Sequence, residues 1–323
     1  MQTAICCIAK CENDYLLEWV EYHLNLGFTH IYIYDNNDID GERIEDVLGD
    51  FIGNSVFIFD CRGKRAYQTI AYTEFYNLYG TQYDWIAYID VDEFITFSEK
   101  SGMKNINGYL KTFEDFEIIH LNWMTYGDNG IVDYISNKVL DRFAEPLPFD
   151  KHIQYNFPEN NHVKSIIKGK LDLKGVKITP HSPSGNFRIC DDMGIERTEN
   201  SYFKTYSFNV AYLRHFTTKT IYEWLKKISR GLATVNSFDD LYSMNRFFKY
   251  NEDTVEKRNV IRYFLLFENV LINRYKIELE SLKLDNSVLT KENNKLYKDL
   301  KQIQISKAYR LGKLLLKPLF YLK

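Results

Sequence analysis

Proline and glycine are scarce: the 323-residue chain holds 6 and 16 of them. That excludes collagen-like and low-complexity classes. Cysteine is sparse as well, with five residues at 6, 7, 11, 61 and 190 and no Cys-x-x-Cys spacing. An odd count in this pattern does not make a disulfide framework, so reduced core thiols are expected. No apolar run reaches the roughly eighteen residues of a membrane span. The amino-terminal stretch meets Glu12 and Asp14 early and lacks a basic flank, so a signal peptide is not expected and a cytoplasmic protein is. Nor is there an excess of positive charge. A net charge of −3 excludes nucleic-acid binding by bulk electrostatics, and no nucleic-acid partner is expected.

What is present is an ordinary soluble composition, 45% apolar and 26% charged, in a chain long enough for one large domain or two modest ones. Aromatics reach 16%, a bias that by itself assigns no function. The charge is uneven. Lys307, Arg310, Lys313, Lys317 and Lys323 stand without an acid in 307–323, and setting them aside leaves 36 basic against 44 acidic residues, a body of net charge −8.

The first hundred residues alternate strand and helix signals. Thr3–Ala9 reads as a buried parallel strand. Asp14 is expected to cap a helix with Leu16, Trp19, Val20, His23 and Leu24 on its apolar face, stopped at Gly27. Strands are expected at His30–Tyr34, Ser55–Phe59 and Trp85–Ile89, with helices around 43–48 and 65–79. Such strand–helix–strand spacing predicts an α/β fold with an open, mostly parallel sheet. Ligands in these sheets sit outside the carboxyl ends of the strands. Lys10, Glu12, Asn13, Asp35, Asn36, Asp60, Arg62, Asp90 and Asp92 are therefore site candidates. Beyond 100 the pattern loosens, with short strands expected at Glu117–Asn122 and Ala211–His215, and from Ile221 onward helices dominate.

Asp90-Val91-Asp92-Glu93 follows the fourth strand. Residues i and i+2 of an extended segment share a side, and two close carboxylates repel unless a cation lies between them. Hard oxygen ligands of this kind suit Mg²⁺ or Mn²⁺ and, through the ion, a diphosphate.

At this point the chain resembles nucleotide-sugar glycosyltransferases of the GT-A fold, and more narrowly glycosyltransferase family 92 with its bacterial family 2-like relatives. The matching segments run in order from Ala9-Lys10-Cys11-Glu12-Asn13 through Leu17-Glu18-Trp19, Glu21-Tyr22-His23, Tyr34-Asp35-Asn36-Asn37 and Gln68 with Ala71-Tyr72 to Asp90-Val91-Asp92-Glu93-Phe94. They continue with Leu121-Asn122-Trp123, Asp141-Arg142-Phe143, Lys164-Ser165-Ile166, Arg214-His215-Phe216 and Arg230-Gly231, covering roughly residues 3–232. The resemblance implies a GT-A α/β domain with a Rossmann-like mixed sheet, using Mn²⁺ or Mg²⁺ held by Asp90, Asp92 and His215. It places Lys10, Glu12, Asn13, Asp35, Asn36, Gln68 and Asp90 around the nucleotide sugar, with Lys164, Lys219, Lys227 and Arg230 on phosphates. Trp123 would form an acceptor platform or, equally, core.

Inverting transfer needs a carboxylate base. Asp128 and Asp141 are the named candidates, beside Glu145, Asp191 and Asp192, and a retaining outcome stays open. The expected donor is a nucleotide-diphosphate sugar, with UDP as the nucleotide by family analogy. The expected acceptor is a saccharide or lipid-linked saccharide in cell-surface polysaccharide synthesis. A sugar nucleotidyltransferase is the alternative enzyme, weakened by the absence of glycine in Ala9–Asp14. A non-catalytic coiled-coil scaffold with a sugar-nucleotide-binding body is the alternative outside enzymology.

The expected layout is a GT-A domain over 1–235, a helical extension over 236–276, a coiled coil over 277–305 and a basic amphipathic tail over 306–323. Leu282, Leu289, Leu296 and Ile303 recur every seventh residue with Leu279, Asn286, Asn293 and Leu300 as companions, which suits homo-oligomerisation through 279–303. The tail suits peripheral contact with the inner face of the plasma membrane.

Overall fold

The computed structural model describes residues 1–131, 138–153, 158–230 and 244–252, with 298 and 301 as isolated positions. The side chains of Ser229, Arg230, Met244 and Asn245 lie outside that description, as do the heptad and basic tail apart from those two positions. The division expected at 235 falls in the same undescribed part of the chain.

The strands are β1 (Thr3–Ala9), β2 (His30–Asp35), β3 (Val56–Asp60), β4 (Trp85–Tyr88) and β5 (Glu93–Phe97), then β6 (Ile118–Thr125), β7 (Val163–Lys168), β8 (Ile189–Cys190), β9 (Glu196–Arg197) and β10 (Ala211–His215). The helices are α1 (Asn13–Leu26), α2 (Glu45–Leu48), α3 (Gln68–Tyr79), α4 (Ile106–Leu110), α5 (Val139–Arg142), α6 (Ile221–Arg230) and α7 (Met244–Asn251). The strands form one ten-stranded sheet in the order β3-β2-β1-β4-β7-β6-β10-β5, with β8 beside β6 and β9 beside β8.

The β3-β2-β1-β4 half is parallel, as expected. The other half is not: β7 runs antiparallel to β4 and β6, and β5 antiparallel to β10. The sheet as a whole is thus mixed, the Rossmann-like mixed sheet that the sequence reading expected. β4 and β5 are joined by a turn but do not pair, since β7, β6 and β10 lie between them in the sheet.

β1 reads as unbroken apolar sequence because both its faces are covered. Ile5, Cys7 and Ala9 meet Leu16, Trp19 and Val20 of α1, whereas Ala4, Cys6 and Ile8 meet Ala71, Tyr72 and Phe75 of α3. α1 buries Tyr15, Leu16, Trp19, Val20 and His23 at helical spacing. It ends at Gly27, whose φ of 106° closes the last turn through hydrogen bonds to the His23 and Leu24 carbonyls. Its start differs from the expectation. Asp14 lies inside the first turn and pairs with Lys226 at 2.6 Å, and Glu12 holds the cap position without a side-chain cap bond. Trp19 is fully buried, and an indole of this size removes about 150–250 Å² from water. At about 25 cal/mol per Å² that is worth several kcal/mol. The same ring donates from Nε1 to the Glu93 carbonyl at 2.8 Å, so α1 packing also fixes the start of β5.

Candidate active site

β4 ends at Tyr88, and the chain turns back through Asp90–Glu93, closed by a Glu93 N–H to Asp90 carbonyl bond of 3.0 Å. The two aspartates therefore sit in a tight turn and not on an extended segment, and they do not share one side. Asp90 accepts from Gln68 Nε2 at 2.8 Å and Tyr72 OH at 3.3 Å on Oδ1, and from Lys164 Nζ at 2.6 Å on Oδ2. Asp92 turns the other way. Its Oδ2 holds Lys227 Nζ at 2.7 Å and its Oδ1 faces His215 Nε2 at 3.9 Å.

The third member of the cluster is Glu93, which the sequence reading did not select. It is fully buried at the head of β5, where its Oε2 accepts the Asp90 N–H at 2.9 Å. The antiparallel register of β5 on β10 pairs Glu93 with His215. Asp92, Glu93 and His215 can each offer a ligand atom within 4.8 Å of the others. Among the described residues, Glu93 Oε1 and His215 Nδ1 are buried without a hydrogen bond. Two carboxylates supply hard oxygen ligands and one imidazole a nitrogen, so the residues present fit a divalent cation, with Glu93 and not Asp90 among the three. A legible signal existed: Glu93 is the lone charged residue of the strand Glu93-Phe94-Ile95-Thr96-Phe97.

Charge is balanced within the cluster. Burial would raise the Asp92 carboxyl, but the Lys227 ammonium, with His215 and Lys219 behind it, holds it well below the usual carboxylate range. Burial pushes Glu93 up despite Lys164, and the neighbouring Asp90 and Asp92 add to the rise. Lys164, on β7 and buried, stays charged because Asp90 at 2.6 Å and Glu93 at 3.6 Å outweigh its desolvation. Burial lowers His215 to about 3, which keeps the imidazole in the neutral form that ligates metals. The Trp123 ring lies 4.2 Å from the His215 ring and also contacts His162 and His181.

Beside Asp92 opens a small cleft lined by Cys11, Glu12, Tyr15, Lys219, Lys226 and Lys227, among others. Its lining comes from the segment after β1, the segment after β10 and α6, at the carboxyl end of β1, the side of the strands on which open α/β sheets bind ligands. Lys219 is buried with its ammonium 4.2 Å from the centre of the Tyr15 ring, and burial lowers its pKa. Cys11 and Lys219, with φ of 53° and 52°, are two of the few described non-glycine residues in the left-handed region. Such conformations need support from their surroundings and cluster at functional sites.

The lysines arrive on a helix with a legible start. Thr220 and Glu223 form a capping box, each side chain accepting the other's backbone N–H at 3.3 and 3.0 Å. Glu223 also takes both guanidinium nitrogens of Arg142 at 2.7 and 2.9 Å and the Tyr15 hydroxyl at 2.8 Å. This buried network anchors α6, from which Lys227 reaches Asp92 in the turn and Lys226 reaches Asp14 of α1.

Several candidates have other work in this structure. Asp35 pairs with Arg62 at 2.7 Å and caps Asn37. Asn36 holds the Cys61 and Lys64 carbonyls. Lys10 pairs with Asp38, and Asn13 bonds the Arg43 carbonyl at the start of α1. Asp128 is buried and caps its own loop through Gly130, whereas Asp141 is exposed on α5. Asp191 is held by Arg197, and Asp192 accepts the Val210 and Ala211 N–H groups. Arg230 ends α6 with its side chain outside the described residues.

The mixed sheet thus carries an acidic turn at the end of its parallel half, joined by a histidine from a later strand. The chain belongs to glycosyltransferase family 92, whose family model matches residues 59–258. A glycosyltransferase family 92 protein of Oryza sativa subsp. japonica is 27% identical over 104 residues, 32% of this chain and 17% of that protein's own length. The matched part thus spans about a sixth of that relative. The chain also resembles the crystal structure of S. aureus TarS 1-349, at 12% identity with a TM-score of 0.37, over 85% of this chain and 80% of that one. The same fragment in complex with UDP gives 12% identity and a TM-score of 0.36 over 97% and 90%. Among the described residues no helix is long and apolar enough to cross a membrane.

Proposed function

We propose that the protein transfers a glycosyl group from a nucleotide-diphosphate sugar, with UDP as the nucleotide, to a saccharide or lipid-linked saccharide acceptor. The observation that carries this reading is the meeting of Asp92, Glu93 and His215 at the carboxyl end of β4, with Lys164, Lys219 and Lys227 around them. Family 92 membership supports the reaction class. In this reading Asp92, Glu93 and His215 hold Mn²⁺ or Mg²⁺, which neutralises charge on the departing nucleoside diphosphate. Gln68 and Tyr72 fix Asp90, and Asp90 with Glu93 fixes Lys164 at the rear of the site. Lys219 and Lys227 meet the diphosphate from the cleft. Trp123, 8% exposed against His215, keeps water from that side. The acceptor as a lipid-linked glycan at the inner membrane face draws support from the basic stretch 307–323, and oligomerisation from the heptad at 279–303.

The test is turnover of UDP-sugars, as hydrolysis and as transfer, with Mn²⁺ and with chelator. Asp92→Asn is expected to lower kcat by about 10²-fold or more, the scale of removing a group that stabilises transition-state charge. Turnover that ignores both chelator and Asp92→Asn would refute the proposal.

A further inference from the structure

The acids of the turn are not equally held, and the difference lies in their lysines. Lys164 is shared between Asp90 at 2.6 Å and Glu93 at 3.6 Å, and its side chain is 2% exposed. Moving it would leave Glu93, which is fully buried, without its cation. Among the described residues Lys227 holds one carboxylate oxygen, Asp92 Oδ2 at 2.7 Å, and one carbonyl, Thr217 at 3.1 Å. Its side chain is 11% exposed, and it lines the cleft together with Lys219. The other half of the same carboxylate, Asp92 Oδ1, has no hydrogen bond among the described residues and faces His215 and the ligand cluster. One carboxylate therefore stands between two cation positions, one filled by a lysine at the cleft and one in the ligand cluster.

Charge decides how the two positions are used. Asp90, Asp92 and Glu93 face Lys164, Lys227 and the nearby Lys219, so the site is close to neutral with its own side chains alone. A dication added to that set meets Lys227 across a single carboxylate, and like charges a few ångströms apart repel. A diphosphate in the cleft removes the conflict, because it offers Lys227 a second anion.

We propose that Lys227 is an exchangeable counter-ion, neutralising Asp92 in the resting site and passing to the donor diphosphate when a divalent cation takes Asp92. This rests on the reading of the site as a metal and nucleotide-diphosphate site. Its consequence is that metal and nucleotide bind with positive coupling. Lys227 weakens the binding of metal alone and strengthens the binding of nucleotide in the presence of metal. No bond is made or broken; the ammonium exchanges one oxygen partner for another. Lys164 cannot serve in the same way, because it has two carboxylates to leave, one of them fully buried.

The test is calorimetric titration of the full chain and of Lys227→Met with Mn²⁺ alone, then with UDP, and GDP in parallel, at saturating Mn²⁺. Lys227→Met is expected to bind Mn²⁺ alone about tenfold more tightly and the nucleoside diphosphate about tenfold more weakly, inside the usual 5–150-fold span of such couplings. Lys227→Arg is expected to resemble the native protein in both titrations. Where Lys227→Met does not fold, Lys227→Gln removes the charge and keeps a hydrogen-bond donor for Asp92. Mn²⁺ binding that is unchanged or weaker in the neutral variant overturns the exchange, even if nucleotide binding is lost. A native protein that binds neither Mn²⁺ nor a nucleoside diphosphate overturns the reading of the site itself, and the exchange falls with it.

Discussion

Replacing Lys164 by methionine should destabilise the protein more than replacing Lys164 and Glu93 together. Lys164 is the cation between Asp90 at 2.6 Å and Glu93 at 3.6 Å, and Glu93 is fully buried. Removing one partner of a buried pair costs about 3–5 kcal/mol, because the other charge is left without compensation. Two features reduce the figure. The Asp90 side chain is 35% exposed, so water screens it, and Glu93 can take up a proton because burial already raises its pKa. The expected cost of Lys164→Met is then about 2–3 kcal/mol, which for a chain of this size lowers Tm by roughly 3–4 °C. Lys164→Met with Glu93→Gln removes the uncompensated acid and should recover at least about 1 kcal/mol of that loss.

The sign of the pH dependence adds a second reading. A carboxyl whose folded pKa lies above its unfolded value gives stability that is complete below the unfolded value and is lost as pH rises through the folded one. Glu93 is such a group, and without Lys164 its pKa rises further. Lys164→Met should therefore lose stability more steeply than the native protein as pH rises above the ordinary carboxyl range. Urea titrations of the three proteins across pH 6–9, at otherwise constant conditions, measure both effects. A double variant no more stable than Lys164→Met, or a single variant within about 0.5 kcal/mol of native, would refute the reasoning.

Two further outcomes follow from packing and from protons. Gly169→Ala should cost at least about 1–3 kcal/mol, the overpacking range, because a β-carbon there would overlap the Tyr83 carbonyl oxygen and crowd that of Gly80; a thermal melt matching native would count against this. Burial lowers His23, His120, His162 and His215 to about 3 and His181 to about 4, so the unfolded chain binds more protons than the folded one below pH 6.5. Stability from these groups is complete above pH 6.5 and falls as pH drops towards 3, by up to about 1.4 kcal/mol per pH unit for each histidine. Urea midpoints that stay level from pH 7 to pH 5 would contradict it.

Much of the fold could be read without coordinates where the signal is local. The apolar run of β1, the buried stripe of α1, the left-handed Gly27 and the strand at Ala211–His215 all follow from neighbours a few residues apart. The acidic turn after the fourth strand was legible for the same reason, and so was the Thr220–Glu223 capping box, although the sequence reading passed over it. Where that reading went astray, distance along the chain is the cause. Treating 90–92 as extended assumed that β4 continues, whereas the Glu93 N–H closes a turn onto the Asp90 carbonyl.

The sequence by itself determined the alternating strands and helices of the first hundred residues, the family, and the presence of paired acids at a strand end. Periodicity and side-chain chemistry reside in single segments and need no partner to be recognised. Only the tertiary structure decided that Glu93 joins Asp92 and His215, that Asp90 belongs to Gln68, Tyr72 and Lys164, and that Lys227 covers Asp92 from 135 positions away. Those meetings depend on the antiparallel register of β5 on β10 and on a helix anchored by Arg142 and Glu223. Pairings between distant segments are set by burial and charge balance over the whole sheet, which leave no periodic mark on either partner.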